Sequence, residues 1–254
     1  MRYKKQQAEQ RIEKAARRLA SGALDLLFPR RCPVCDKPVR PVGALVCAAC
    51  EGSFRPAAEP ACRKCGRPLR RQEEVYCRSC LENRHFYECG AAAFTYRSCA
   101  GAIYRFKYGG RQEYAAYFGR ELARAYRARL SRERFDLLVP APLHRERLRA
   151  RGYNQAALLA EALSPYIGVP VCKNALLRTK NTAPLKAMSA SARQNNLKKA
   201  FQASVNDVNL KSIIVVDDIY TTGATVDACA QALYAAGAAR VCFLALAVGE
   251  ESEC

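Results

Sequence analysis

Four Cys-x-x-Cys pairs stand in register at Cys32/Cys35, Cys47/Cys50, Cys62/Cys65 and Cys77/Cys80, with eleven residues between successive pairs. Such a knuckle aims two thiolates at one point, and two knuckles supply the four soft ligands of a tetrahedral zinc site. Eight ligands make two sites. The simplest grouping is sequential, with Cys32, Cys35, Cys47 and Cys50 on one Zn²⁺ and Cys62, Cys65, Cys77 and Cys80 on the other. Interleaved pairing, with the first and third knuckles sharing a metal, also fits the uniform spacing. Four thiolates close a site, so both zincs are expected to be structural. A module this small cannot bury a core of its own, and the metal supplies its folding energy. A redox dithiol would need one pair beside a βαβ unit, which is not the pattern here; an iron–sulfur cluster is the remaining alternative.

The cellular setting expected from the sequence agrees with zinc. The charged start (MRYKKQQAEQRIEKAARR) followed by ASGALDLLF, broken by Asp25, does not read as a secretory signal. A cytoplasmic, reducing location is therefore expected, where 14 cysteines are not a disulfide framework. The longest apolar run, Val241 to Val248, is far shorter than the ~18–20 residues of a membrane span. Six further cysteines (Cys89, Cys99, Cys172, Cys229, Cys242 and Cys254) have no partner by spacing. Cys172, Cys229 and Cys242 lie in apolar contexts and are expected in the core.

The chain is strongly basic, with 42 Lys and Arg against 23 Asp and Glu, a formal charge of +19. Of this, +10 lies in the first 80 residues. The residues around the knuckles, among them Arg30, Arg31, Lys37, Arg63, Lys64, Arg67 and Arg70, are mainly basic. A basic zinc ribbon suits nucleic-acid phosphates; a solvated face that keeps the protein soluble is the plainer alternative.

Three regions follow: a leading helix over 1–28, stopped by Pro29, a double zinc ribbon over 29–84, and an α/β domain over 85–254. In the last, 91–96 and 101–107 read as short strands, or a strand and a helix start. Tyr114, Phe118, Leu122 and Tyr126 form a helical stripe within 113–130. A short buried strand at 136–142 precedes a helix over 154–165. Apolar runs at Ser212–Val216 and Val241–Val248 flank a helical segment, Ala224–Ala236. Strands alternating with helices imply a doubly wound parallel sheet, which binds ligands at the carboxyl ends of its strands.

The segment from Lys211 to Thr225, KSIIVVDDIYTTGAT, carries the chemistry. A β-branched strand ends in two adjacent carboxylates, Asp217 and Asp218; a short loop of Thr221, Thr222 and Gly223 follows, and a helix starts near Ala224. A helix N-terminus favours a phosphate. Thr221, Thr222 and Thr225 add hydroxyl donors, and Gly223 lets backbone approach an anion without a Cβ in the way. Two acids beside such a cradle make sense as acceptors from a ribose diol or as holders of a hydrated divalent cation. The segment reads as a cradle for a ribose 5-phosphate. A receiver-domain acid pocket and plain helix capping are the competing readings.

Val215 to Thr225 resembles the phosphoribosyl-pyrophosphate (PRPP) motif of type I phosphoribosyltransferases. A wider pattern resembles the ComF family. It comprises Cys-Pro-Val-Cys at 32–35 after Leu-Leu-Phe-Pro, Pro142-Leu143-His144 leading to Arg149-Ala150-Arg151-Gly152-Tyr153-Asn154-Gln155, and Arg178-Thr179-Lys180-Asn181-Thr182 before Arg193, Asn196 and Phe201. That resemblance implies a double zinc ribbon followed by a type I phosphoribosyltransferase-like parallel sheet. It implies that Asp217 and Asp218 hold the ribose hydroxyls, that Thr221, Thr222, Gly223, Ala224 and Thr225 hold the 5-phosphate, and that Leu143 and His144 lie where pyrophosphate binds. It implies PRPP with Mg²⁺ as ligand, 179–193 as a mobile loop, and a role in competence and in handling single-stranded DNA together with DNA-uptake proteins. One departure is Leu185 after Pro184, where family members commonly carry Gln.

His144 reads either as a pyrophosphate contact or acid/base group, or as a loop residue positioning its neighbours. Asn154 is a candidate cap. Lys107-Tyr108-Gly109-Gly110-Arg111 reads as a glycine turn suited to a pyrophosphate, or as an ordinary loop. The intact 217–225 loop also allows an active phosphoribosyltransferase with a nitrogenous acceptor, in which Asp217, Asp218 and His144 would be catalytic. No nucleobase hood is recognisable.

Overall fold

The computed structural model describes residues 29–41, 43–178 and 201–250. The expected leading helix at 1–28, the loop residues 179–193 and Cys254 lie outside the described residues. Compactness divides the chain into two units, 1–53 and 54–254. The boundary falls between the two cysteine quartets.

The first unit holds one knuckle pair. The amide of Cys32 donates to the Lys37 carbonyl (2.8 Å), and that of Asp36 to the Cys32 carbonyl (2.9 Å). Asp36 takes a left-handed φ of 56°. Thirty residues on, the second unit repeats the device: Cys62 N–H donates to Arg67 (2.8 Å), Gly66 N–H to Cys62 (2.9 Å), and Gly66 has φ 73°. In each ribbon a single helical turn, Ala48–Cys50 or Arg78–Glu82, carries the last cysteine. The equal spacing in sequence thus reflects one turn built twice.

The rest of the second unit alternates strand and helix. Apart from a single helical turn at Val205–Val208, the order is β1 (Gly90–Thr95), α1 (Tyr96–Tyr108), α2 (Tyr114–Arg129), β2 (Leu137–Pro140), α3 (Arg145–Arg151), α4 (Gln155–Ile167), β3 (Leu176–Arg178), β4 (Phe201–Ala203), β5 (Ser212–Tyr220), α5 (Ala224–Ala235) and β6 (Arg240–Val248). The main sheet runs β1-β6-β5-β2 with every pairing parallel. Helices α2 and α4 pack on one face, and α5 with the β3-β4 hairpin on the other. With both faces covered, central strands become continuous apolar runs. Ile213 to Val216 and Val241 to Ala247 are accordingly all fully buried.

Both sheet edges are covered by flanking chain, which keeps them from pairing with another molecule. Thr95 and Ala57 donate backbone N–H to Arg55 and Ala93, so 55–57 lie along β1. Cys172 and Leu138 exchange with Leu138 and Pro170 along β2. The first of these contacts leads straight into the second ribbon, which packs into the α/β core. Cys62, Cys65 and Cys77 share one buried cluster with Tyr87, Val215, Tyr220 and Phe243.

Two expectations are sharpened. Residues 101–107 are helix, because α1 starts directly after β1. Strand β5 runs four residues past Val216 and stays paired with β6 through Tyr220 and Val248. Asp217 and Asp218 therefore sit within the last stretch of the strand, which holds their backbone rigidly.

Candidate functional site

The eight knuckle cysteines gather as Cys32, Cys35, Cys47, Cys50 and as Cys62, Cys65, Cys77, Cys80, with the ligand atoms of each group within 4.8 Å of one another. The grouping is sequential, not interleaved. Sulfur separations of 4.0 Å (Cys35–Cys47) and 3.6 Å (Cys65–Cys77) bracket the edge of about 3.8 Å that a tetrahedron of 2.3 Å Zn–S bonds requires. In the second quartet, hydrogen bonds from Cys65 and its neighbours hold the Cys62 thiol well below the usual range, while hydrogen bonding to Cys62 drives Cys65 and Cys80 up. Four sulfurs this close cannot all ionise without a dication between them. The donor set fits structural zinc.

At the carboxyl end of β5, Asp217 Oδ1 accepts from the Asp218 amide (2.8 Å), and Asp218 Oδ2 pairs with Lys107 Nζ (2.7 Å). Lys107 is in the last turn of α1, so the segment 107–111 does reach the acids, from a helix and not from a turn. Burial, then the neighbouring Asp218 carboxylate, push Asp217 up from 3.8 to about 7, against Lys107 and Arg178. The folded value lies above the unfolded one, so the ionised carboxylate costs stability. That cost is absent below about pH 4 and complete above about pH 7. Asp217→Asn is therefore expected to melt above the wild-type protein at pH 8, with the gap closing by pH 4; thermal scans across that range check it.

The chain turns after Tyr220. Thr221 and Thr222 are exposed, and Gly223, at φ 82°, is the N-cap of α5 with no side-chain cap. The first amides of α5 therefore face the loop without intrahelical partners. A Cβ on Gly223 would lie 2.8 Å from Tyr220 Oη and 2.9 Å from His85 Cε1. His85 is itself held by Asp227 Oδ2 (2.7 Å to Nδ1), and the Phe86 amide donates to Asp227 Oδ1 (2.8 Å). The first-turn acid of α5 is thus committed to the segment leading out of the second ribbon. Arg67, inside that ribbon and buried, donates to the Thr221 carbonyl (2.6 Å). Tyr220 stacks on Phe243 (centroids 4.5 Å apart), and Tyr87 meets Phe243 edge-on (4.9 Å). The loop from 221 to 225 rests on a floor built from ribbon, His85 and aromatic rings.

His144 is the N-cap of α3, accepting at Nδ1 from the Glu146 amide (3.4 Å). Leu143 is half-buried in the loop after β2. Asn154 caps α4 through Ala156 (3.0 Å) and ties it to the end of β2 through the Ala141 carbonyl (3.1 Å). The stretch 145–151 is a helix in its own right, closed by Gly152. Arg145, Arg147 and Arg149 are exposed on it, and Arg151 lies over the Tyr108 ring (4.8 Å). Sequence reasoning missed Arg67, His85 and Asp227 as partners of the loop; a basic knuckle and one of only two histidines were the available signals. It also missed that Cys89, just before β1, and Cys242, on the neighbouring β6, bring their sulfurs to 3.0 Å.

A family model described as double zinc ribbon domain matches residues 23–81. Competence protein F of Haemophilus influenzae is 38% identical over 94 residues, covering 36% of this chain and 41% of that protein. DNA utilization protein YhgH of Escherichia coli K12 is 40% identical over 106 residues, covering 42% of this chain and 46% of that protein. The chain thus matches less than half the length of these relatives. Among solved structures, the glutamine phosphoribosylpyrophosphate amidotransferase of Bacillus subtilis overlaps 52% of this chain and 25% of its own, at 18% identity and a TM-score of 0.36. Among the described residues no helix is long and apolar enough to cross a membrane.

Proposed function

We propose that this chain, a member of the ComF family, acts in DNA uptake by binding single-stranded DNA through its basic surface and PRPP, or a ribose 5-phosphate end, in the 217–225 loop. The observation that carries this reading is the clasp between the two motifs. Arg67 of the second ribbon holds the Thr221 carbonyl, and His85, just beyond the ribbon, backs Gly223. A basic ribbon suited to phosphodiester backbones and a loop suited to a ribose phosphate are thereby parts of one folded unit.

In the loop, Asp217 and Asp218 accept from the ribose hydroxyls. The amides that open α5, with Thr221, Thr222 and Thr225, take the 5-phosphate. Lys107 holds Asp218 in place and lowers the repulsion between the paired acids and an anionic ligand. Leu143 and His144 shape the opposite wall for pyrophosphate, His144 by fixing the start of α3. Mg²⁺ would come with PRPP. Among the described residues only the cysteine quartets gather three or more metal-ligating side chains. A cation arriving with PRPP would be held in part by oxygens of that ligand and by water, and would neutralise pyrophosphate charge.

A second reading, transfer of the phosphoribosyl group to a nitrogenous acceptor, is favoured by Asp217. A carboxylate pushed up to about 7 is matched to accepting a proton near neutral pH. Pyrophosphate release from PRPP with a panel of bases separates the two readings; saturable PRPP binding without release supports the binding role.

The testing experiment is a calorimetric titration of PRPP with and without Mg²⁺, repeated with bound oligothymidylate. PRPP should bind at one site per chain, and DNA should change its affinity by a factor of about 5 or more, the scale of a typical coupling free energy. Absence of PRPP binding in both titrations would refute the reading.

A further inference from the structure

The geometry points to a second phosphate-binding site, distinct from the 217–225 loop, at the carboxyl ends of β1 and β6, where the N-terminus of α1 and arginines of the second ribbon would hold a backbone phosphate of single-stranded DNA. This rests on the DNA-binding reading above and gives that reading a location.

A pocket of about 480 Å³ opens there, lined by Arg55, Arg67, Arg70, Arg97 and Thr95 among others. Four arginines face two glutamates, Glu74 and Glu250, in its lining. Glu250 pairs with Arg97 at 3.1 Å, but the Arg97 side chain is 84% exposed, so that pair is weak and readily exchanged for a stronger anion. Glu74 accepts from the Arg70 amide at 3.3 Å. Guanidinium groups converging on a polar pocket match phosphate oxygens in shape and charge.

The second observation is Thr95. It is the N-cap residue of α1, a 13-residue helix with no acid in its first turn. Threonine in this place ordinarily accepts from an amide two or three residues on. Here it does not: its side chain makes no cap hydrogen bond. The residue is only 5% exposed, and its hydroxyl is buried at the pocket wall with no partner. A buried hydroxyl left unbonded is destabilising. A phosphate at the mouth of α1 would accept from that hydroxyl and from the open first-turn amides together.

The backbone already braces the site. Thr95 N–H donates to the Arg55 carbonyl (2.9 Å), which keeps Arg55 beside the first turn of α1. Arg67 lines this pocket and also holds the Thr221 carbonyl, and Gly249 N–H donates to the Tyr220 carbonyl (2.8 Å). A strand of DNA held here therefore lies next to the ribose-phosphate loop and shares Arg67 with it. That adjacency supplies a physical route for DNA to alter ligand binding at the loop.

The test uses the full zinc-loaded chain with Arg55→Gln/Arg97→Gln and, separately, Thr95→Val. Binding of fluorescein-labelled oligothymidylate is followed by anisotropy over a KCl series. The double variant should bind about tenfold more weakly, with the log–log salt slope reduced by about 0.7, the contribution of the one single-strand phosphate held here. Thr95→Val should bind a few-fold more weakly and melt no lower than wild type, because the lost hydroxyl had no partner. PRPP affinity without DNA should be unchanged in both. If the wild-type protein binds the oligonucleotide and both variants match it in affinity and slope, the site is refuted while DNA binding stands. If the wild-type protein binds no oligonucleotide at any salt, both the DNA reading and the proposed occupant fall. Sodium pyrophosphate, titrated in an Asp217→Ala/Asp218→Ala background with and without the arginine changes, then shows whether the pocket takes a free phosphate instead.

Discussion

Cys65→Ser is expected to remove one zinc of two and, with it, the cooperative unfolding transition of the whole α/β unit. Structural zinc in small modules contributes roughly 10–16 kcal/mol, as much as or more than the 5–15 kcal/mol by which a domain is typically stable. The effect should spread because Cys62, Cys65 and Cys77 share a core with Val215, Tyr220 and Phe243. Losing the metal leaves crowded, partly buried thiols and frees the knuckle that presents Arg67 to Thr221. Cys35→Ser should also lose one zinc. Cys35 is exposed, and it lies in the separate 1–53 unit. Its loss should leave the main transition in place. Zinc content by atomic absorption, with calorimetric melting of both variants, distinguishes the two quartets. Equal melting behaviour would mean that the second ribbon is not part of the core.

Gly223→Ala is expected to abolish ligand binding at the 217–225 loop, by about a hundredfold or more, while zinc content stays at two. Two costs combine. A left-handed φ of 82° is open to glycine but costs an alanine about 1–2 kcal/mol. The new methyl would also lie 2.8 Å from Tyr220 Oη and 2.9 Å from His85 Cε1. Neither neighbour can yield: Tyr220 is stacked on Phe243 and His85 is pinned by Asp227. The loop must move instead, and the amides that open α5 turn away from the phosphate position. Titration of PRPP against the variant, with circular dichroism to confirm the fold, measures the loss.

What could be read from the sequence alone was whatever chemistry is written locally. The knuckles are local turns repeated at fixed spacing, so both quartets were legible, although their pairing is set only by the fold. Asp217 to Thr225 is one continuous strand, loop and helix start, and its character follows from residue types in order. Covered parallel strands announce themselves as apolar runs, so Ser212–Val216 and Val241–Val248 were visible, with Asp217 and Asp218 read as the strand's end; its continuation through Ile219 and Tyr220 was not, because a pair of carboxylates looks like a terminus. The supports of the site come from far along the chain. Arg67 reaches Thr221 across 154 positions, and His85 reaches Asp227 across 142. Nothing in their neighbourhoods marks those partners. Lys107 was visible as a charge by a glycine pair, but its target, Asp218, emerged only when α1 was placed against the end of β5. His144 could be read either way, and the fold gives it a cap on α3.

The proposed PRPP site joins the carboxylates at the end of β5 to the loop on the second ribbon, in an intact double-zinc protein. The most direct measurement is calorimetric titration of PRPP with Mg²⁺ against wild type and Asp217→Ala/Asp218→Ala, with zinc measured in the same samples. One saturable site is expected in the wild-type chain, none in the double variant, and zinc at two per chain in both. Undiminished PRPP binding by the double variant would contradict it.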